Sequence, residues 1–184
     1  MSSILSEAFA RLEFELRKQD ASYVHLRRKP ELSRAEIESR LVATAGPVHQ
    51  DAVDWFAWQD GANPTAPESI PPIIGDLLTT SMDEYLRFDF MYRNALQIED
   101  GTPNPWIRIA ANESRSLVIH AQSGEIHVFH EWTEMKKINA TLAELLDAWS
   151  DLFETYGRWN STRLVWELDD RWRLIPDLLG RAGW

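Results

Sequence analysis

The sequence predicts an α+β fold in which a small antiparallel sheet with a central hairpin packs against several helices. Two β-rich runs, 117–121 and 125–129, flank a Ser-Gly pair of the kind found in hairpin turns. Segments whose apolar residues recur every three or four positions lie on both sides of this hairpin and predict helices. Helices grouped around a few antiparallel strands are typical of the α+β class.

Three helices are predicted in the first third of the chain. Residues 4–19 carry apolar side chains at helical spacing and predict an amphipathic helix. Ser33-Arg34-Ala35-Glu36 has the pattern of a capping box and begins a second helix, which Gly46 ends. Because proline is tolerated in the first turn of a helix, Pro47 is expected to open a third helix that runs to about Gln59.

The middle of the chain is predicted to contain two connections and a further helix. Residues 20–32 are polar with some strand character at 23–26, and residues 63–72 hold four prolines, which do not continue a helix. Ser81-Met82-Asp83-Glu84 is expected to open a fourth helix that extends to about residue 96. A turn is expected at 100–105.

The central hairpin has a predicted register. A two-residue turn at Ser123-Gly124 keeps one face of the hairpin apolar. A three-residue turn would bring Glu125 and His127 among the apolar side chains, so the two-residue turn is favoured. The expected pairs are Ala121 with Ile126, Ile119 with Val128 and Leu117 with His130.

A strand and a helix are predicted on either side of this hairpin. Trp106-Ile107-Arg108-Ile109-Ala110 indicates a neighbouring strand of the same sheet. Thr141-Leu142-Ala143-Glu144 is a second capping box and begins a fifth helix whose apolar side continues to Tyr156. Beyond Arg158 the alternation of Leu164, Trp166 and Leu168 fits a strand or a helix. We expect one domain over 1–184, with its core at 33–156, an N-terminal helix at 4–19 and a C-terminal extension at 158–184.

Charge and cysteine content narrow the function classes. The chain has 184 residues, of which 29 are acidic and 19 basic, and a net charge of −10. Nucleic-acid binders normally present a basic patch, so this balance disfavours a nucleic-acid partner and favours a basic protein partner. Such a charge also keeps a protein soluble without any partner. The chain has no cysteine, which excludes disulfides and thiolate-bound zinc and suits a reducing cytoplasm.

The sequence predicts a cytoplasmic protein without a membrane partner. Residues 1–7 lack the basic start and apolar stretch of a signal peptide. No apolar run approaches the about 20 residues that a membrane span requires.

The chain also has nine tryptophans, which serve either a core or a protein interface. Trp55, Trp58 and Trp149 lie at helical spacing and are expected in the core. Trp166, Trp172 and Trp184 are candidates for exposed contacts.

Motifs of catalysis and of metal binding are weak. In the predicted register His120 and His127 face each other, but a metal site needs a third ligand, and His130 lies on the opposite face. His130-Glu131-Trp132-Thr133-Glu134 begins like a metalloprotease motif and lacks its second histidine. Asp169 and Asp170 are adjacent and share no face of a helix or strand. We therefore expect no catalytic, cofactor or metal residues, and an enzyme built around the histidine pair is the less favoured alternative.

Several segments resemble the SUKH superfamily over about residues 33–156. Val53 to Gly61 resembles the helix end and Asn/Asp-Gly turn of that family, and Leu117 to Phe129 resembles its central hairpin. Ile73 to Leu86, Trp106 to Ile109 and Thr141 to Trp149 resemble its loop entering a helix, its neighbouring strand and its closing helix. The glycine-rich stretch that usually precedes this strand is thin here, and the tail after Arg158 has no counterpart.

The resemblance implies a non-catalytic α+β binding domain. Many bacterial members are immunity proteins, which bind a cognate toxin domain, often a nuclease, and block it. Eukaryotic relatives include regulators of cell-wall synthesis that act as interaction hubs. The resemblance therefore implies an immunity protein that neutralises a basic toxin domain by direct occlusion, and the alternative is a regulatory adaptor of the SUKH type without a toxin partner.

Eight acidic or aromatic residues are the candidates for recognition of the partner, because charged and aromatic side chains dominate binding energy at protein interfaces. They are Asp60, Glu68, Asp76, Glu131, Trp132, Asp169, Asp170 and Trp172.

Overall fold

A computed structural model describes residues 3–19, 32–58, 78–79, 82–111, 115–130, 134–160 and 165–168 of the chain. Within these ranges the helices are α1 (Ser3–Gln19), α2 (Arg34–Ala45), α3 (Gln50–Trp58), α4 (Met82–Ala95) and α5 (Leu142–Tyr156). The strands are β1 (Leu78–Thr79), β2 (Trp106–Ala111), β3 (Arg115–His120), β4 (Ile126–His130), β5 (Glu134–Ile138), β6 (Gly157–Asn160) and β7 (Val165–Leu168).

Strands β1 to β5 form an antiparallel sheet in which the strand order follows the chain. Strands β6 and β7 form a separate antiparallel ribbon, so the tail at 165–168 is a strand rather than a helix. Helices and a small antiparallel sheet confirm the predicted α+β class. In the described ranges no helix combines the length and the apolar character needed to cross a membrane.

Both predicted capping boxes are confirmed. The hydroxyl of Ser33 accepts a hydrogen bond from Glu36 N–H at 3.4 Å, and the Glu36 carboxylate accepts one from Ser33 N–H at 2.8 Å. At α5 the same two bonds join Thr141 and Glu144 at 3.2 and 2.8 Å. These bonds satisfy N–H groups that the first turn of a helix leaves unpaired. Gly46 ends α2, as predicted, with a φ of 75°.

The third helix begins later than predicted. Pro47 lies outside α3, which starts at Gln50. The reason is that His49 is held to the sheet, because its backbone N–H donates a hydrogen bond to Ala121 O. Its imidazole Nδ1 accepts a hydrogen bond from Asp51 N–H at 3.3 Å and so caps the helix.

The main hydrophobic core lies between one face of the sheet and the helices α1, α2, α3 and α5, with residues from the start of α4. Leu12, Leu41, Trp55 and Trp149 from these helices are buried in the same core as Ile119 of the sheet. The structure thus places Trp55 and Trp149 in the core, as predicted.

Trp58 lies at the margin of this core. It is partly buried, its ring stacks on Phe9 with a centroid distance of 4.5 Å, and its indole N–H donates to the Glu13 carboxylate at 2.7 Å. Such a tryptophan packs its ring while its N–H keeps a polar partner. Trp166 belongs to β7, whereas Trp172 and Trp184 lie outside the described residues.

The β3–β4 hairpin keeps the predicted faces but not the predicted register. The expected pairing of Ile119 with Val128 is wrong, because Ile119 pairs with Ile126 instead. The shift amounts to two residues, and side chains alternate with a period of two, so the apolar set stays on the core side. The expected pairs Ala121–Ile126 and Leu117–His130 are replaced by Leu117–Val128 and Arg115–His130.

The register differs because the turn is wider than Ser123-Gly124 alone. The backbone N–H of Ala121 donates to Pro105 O at 2.6 Å, and the carbonyl of Ala121 accepts the hydrogen bond from His49 N–H. Ala121 therefore bonds to two other loops and does not join the hairpin ladder. Gly124 supplies the positive φ, 72°, that the turn requires.

Other predicted elements have mixed outcomes. The strand at Trp106 and helices α1 and α4 lie where they were expected. Strands β1, β5 and β6 were not predicted. The connection at 20–32 and the proline-rich segment at 63–72 lie outside the described residues.

Candidate binding site

None of the predicted partner-binding residues falls in the described ranges. The eight residues outside them are Asp60, Glu68, Asp76, Glu131, Trp132, Asp169, Asp170 and Trp172. Their role in binding stays a prediction. The described residues nevertheless form three features that bear on binding: a groove, a pair of histidines that pack on a tryptophan, and a row of carboxylates.

The groove is a cavity of about 520 Å³ where three loops meet. Its lining consists of residues 45–47 at the end of α2, residues 96–99, 102–103 and 105 between α4 and β2, and Gln122 in the hairpin turn. This volume lies within the range of about 300–1,000 Å³ that is typical of ligand sites. Three prolines contribute to the walls, namely Pro47, Pro103 and Pro105.

Backbone hydrogen bonds hold the walls of the groove together. Asn104 N–H donates to Thr44 O at 3.3 Å, and the buried side chain of Asn104 accepts from Trp106 N–H at 3.0 Å. The Ala121 to Pro105 bond fixes the hairpin turn against the same loop. These bonds restrain the walls of the groove, and a restrained site lowers the entropic cost of binding.

An arginine restrains the loop at 96–105 through hydrogen bonds to its backbone. The guanidinium of Arg93, near the end of α4, donates to the backbone carbonyls of Glu99, at 3.3 Å, and of Thr102. Charge-assisted bonds to two carbonyls of one loop restrain that loop more than neutral bonds would.

Gln97 lines the groove in a left-handed backbone conformation. Its φ is 54°, which makes it the one non-glycine residue with positive φ among the described residues. Its N–H donates to Asn94 O at 3.3 Å, and Ile98 N–H donates to Arg93 O at 2.9 Å. These two bonds form a Schellman motif at the end of α4, and the position that Gln97 occupies usually holds glycine.

The second feature is the pair of histidines, which the structure arranges differently from the prediction. His127 lies opposite Val118, not opposite His120. Both imidazoles instead pack against the ring of Trp106, with centroid distances of 4.8 Å for His120 and 4.7 Å for His127. Trp106 therefore joins two histidines that were expected to meet each other directly.

His127 is a packed histidine whose ring nitrogens are both buried. Burial lowers the pKa of His127 below its ordinary value of 6.5, and the Glu125 carboxylate, 3.8 Å from its Nε2, acts in the opposite direction. The Lys137 ammonium pairs with the same carboxylate. Because desolvation is the largest of these effects, the neutral imidazole is favoured.

His120 caps the hairpin turn. Its Nδ1 accepts a hydrogen bond from Ser123 N–H at 3.2 Å and lies 3.0 Å from Ser123 Oγ. A serine nucleophile needs a base with a nitrogen available for its proton, whereas this Nδ1 already accepts a backbone N–H. Over the residues described, no three His, Asp or Glu side chains are grouped so as to hold a metal ion.

The third feature is a row of carboxylates along α5, formed by Asp147, Asp151 and Glu154. All three pair with the same cation, Arg11 of α1, at distances of 3.5 Å for Asp147 and 3.4 Å for Glu154, with Asp151 closest. The carboxylate side chains are 44 %, 38 % and 50 % exposed. Three negative charges against one positive charge leave this acidic row negative.

Sequence reasoning identified the histidines but not the groove. The groove brings together segments that are distant along the chain, such as Pro47, Gln97 and Gln122. A possible signal was the density of proline at 103 and 105, which marks a rigid loop without indicating what it faces.

The chain matches no protein-family model and no curated protein. Its function is therefore inferred from its own residues and motifs.

Proposed function

We propose that this chain is a non-catalytic binding domain that neutralises a basic bacterial toxin domain by occlusion, in the manner of SUKH-type immunity proteins. The observation that carries the proposal is the surplus of exposed carboxylates, with a net charge of −10 over the chain and a net negative row on α5. A surface of this sign attracts basic proteins and repels nucleic acids.

The acidic row is suited to steering a basic partner. Its carboxylates are partly exposed, and Arg11 neutralises only one of the three. Exposed charges of this kind raise the association rate with an oppositely charged protein and contribute less to the lifetime of the complex. For a nuclease toxin, the carboxylates would stand in for the phosphates that its active site binds.

The arrangement of the elements also supports the proposal. The segments that resemble the family occupy α3, β2, the β3–β4 hairpin and α5, and these elements share one core. The bond from Ser123 N–H to His120 Nδ1 favours a role of His120 in the turn over a role as a catalytic base.

The test is a protection experiment with the toxin domain encoded next to this gene in its native genome. We expect co-expression of this chain to restore growth of cells that produce the toxin domain, and the two purified proteins to form a stoichiometric complex. Growth without a complex would contradict occlusion. Stable complexes with host proteins and none with a toxin would support the adaptor instead.

Charge variants show whether the acidic row takes part. Asp151→Asn with Glu154→Gln removes two charges from the row, and Glu38→Gln with Asp83→Asn removes two exposed charges elsewhere as a matched control. We expect the first pair to weaken binding by about three- to tenfold at low salt, mainly through the association rate, and the control by less than about twofold. Equal losses of affinity in the two double variants would mean that the net charge of the chain, and not the acidic row, affects binding.

A further inference from the structure

One residue that lines the groove, Gln97, holds an unfavourable backbone conformation. Left-handed backbone is unfavourable for a non-glycine residue, yet Gln97 holds this conformation at the end of α4. Its side chain is exposed, so no core packing requires glutamine there. Residues held in unfavourable conformations cluster at ligand sites, where the side chain has a use.

Two carboxamides line the groove from different segments. Gln97 follows α4 and Gln122 lies in the hairpin turn, and both side chains are exposed. Each carboxamide offers donors and an acceptor at once, which is the hydrogen-bonding pattern of a peptide group. The surrounding proline, leucine and isoleucine side chains at 47, 96, 98, 103 and 105 are apolar and suit an apolar side chain of a ligand.

The charge of the groove also indicates which ligands it can bind. Of the described residues that line it, Glu99 alone carries a formal charge, and Asp100 follows it on the exposed loop. The Arg93 guanidinium donates to the backbone carbonyls of Glu99 and Thr102, and one cation beside the two carboxylates of Glu99 and Asp100 leaves this loop with a net negative charge. An occupant with a cation beside an apolar side chain is therefore complementary to this rim.

From these observations we infer that the groove binds an extended segment of a basic protein, with an apolar side chain in the groove, main-chain amides on Gln97 and Gln122, and a lysine or arginine at Glu99. This inference rests on the proposed function and deepens it, because it names the part of the surface that binds the partner after the acidic row has attracted it.

The first test uses two synthetic peptides and the ¹⁵N-labelled full chain. The probes are acetyl-Leu-Lys-Leu-amide and acetyl-Leu-Glu-Leu-amide, which differ in one charge. We expect the lysine peptide to cause saturable NMR shifts at Gln97, Glu99 and Gln122, and the glutamate peptide to bind at least about fivefold more weakly. No saturable shift at these residues, or an equal response to both peptides, would overturn the inference.

The second test separates binding from folding. Gln97→Gly removes the carboxamide and relieves the left-handed strain, so the variant is expected to melt at a higher temperature and yet bind the lysine peptide about fivefold more weakly. Glu38→Gln, on the exposed side of α2, is the matched control and is expected to leave peptide binding unchanged. Unchanged affinity in Gln97→Gly would overturn the inference.

The two proposals fail independently. If the toxin domain is neutralised while Gln97→Gly and Glu99→Lys leave its affinity unchanged, the groove inference falls and the proposed function stands. If the lysine peptide occupies the groove while no toxin is neutralised, the proposed function falls and the groove remains a peptide site.

Discussion

Gly124, in the turn between β3 and β4, lies directly against the imidazole of His49. A Cβ atom at position 124 would come within 2.6 Å of His49 Nδ1. The backbone of Gly124 also has a φ of 72°, a conformation that side chains disfavour. Glycine is therefore required here for two reasons, the conformation of the turn and the approach of the ring.

Gly124→Ala is expected to lower the free energy of unfolding by about 2–4 kcal/mol, since left-handed strain and overpacking add together. The control is Gly101→Ala, where φ is 83° and no atom lies within 4 Å of the added Cβ, so only the strain of about 1 kcal/mol applies. Urea unfolding measures both variants. Equal losses would show that the imidazole moves aside at no cost, and His49→Ala should recover part of the loss in Gly124→Ala.

The pair of Arg34 and Asp54 predicts a second effect on stability. Asp54 is 1 % exposed and pairs with the Arg34 guanidinium, which is 38 % exposed. Because Arg34→Met leaves a buried carboxylate without its cation, we expect a loss of about 2–3 kcal/mol, below the full cost of breaking a buried pair since Arg34 reaches solvent. Asp54→Leu in the same background should recover much of this loss.

Arg40→Met is the matched control for that prediction. Arg40 pairs with Asp83 at 3.5 Å, and the two side chains are 45 % and 75 % exposed. Exposed pairs contribute little, so the expected loss is below about 0.5 kcal/mol. A comparable loss in Arg34→Met and Arg40→Met would mean that Asp54 does not depend on its partner.

His127 predicts a dependence of stability on pH. Burial lowers its pKa in the folded state below 6.5, so the unfolded chain binds more protons than the folded chain just below that pH. The stabilisation is present above 6.5 and is lost as the pH falls through the folded-state pKa. NMR titration of the imidazole should give a midpoint below 6.5.

Unfolding experiments check the same effect. The His127→Phe variant keeps a ring against Trp106 but does not titrate. From about pH 7.5 down to about pH 5, we therefore expect wild type to lose stability relative to His127→Phe. A constant difference between the two proteins over this range would contradict the predicted linkage.

The capping box of α5 predicts a smaller effect on the free energy of unfolding. Thr141→Ala removes the hydroxyl that accepts Glu144 N–H, and the expected loss is about 1 kcal/mol. Thr155→Ala, an exposed position in the last turn of the same helix, serves as the control and should cost nothing, because alanine has the higher helix propensity. A loss at Thr155 as large as that at Thr141 would show that capping is not the cause.

The local signals in the sequence were sufficient for the existence of the five helices and for the faces of the hairpin, but not for the start of α3. Capping boxes at Ser33 and Thr141 fixed two helix starts, because their hydrogen bonds involve residues only three positions apart. The register failed because Ala121 bonds to Pro105 and His49, contacts that no local pattern reveals. Strand β5 was missed because Lys136 and Lys137 interrupt its apolar pattern, as lysines at the edge of a sheet often do.

The site was less predictable than the fold. The groove depends on loops from three regions, and the strain at Gln97 is visible only as a backbone angle. The histidine pair was predicted from the hairpin register, so its geometry changed when the register did. The sequence thus drew attention to the two histidines but did not reveal that Trp106 lies between them.

The wide turn at Ala121 also bears on how the chain folds. The turn of this hairpin is closed by its own bonds, from Gly124 N–H to His120 O at 2.9 Å and from His120 N–H to Glu125 O at 2.8 Å, and His49 and Pro105 anchor it to the rest of the fold. As an isolated peptide, this hairpin would lack both anchors and be free to close on the tighter Ser123-Gly124 turn. The docking of α3 adds the bond from His49 N–H to Ala121 O, so a contact between segments distant along the chain helps to select the native alignment of β3 and β4 over the tighter one.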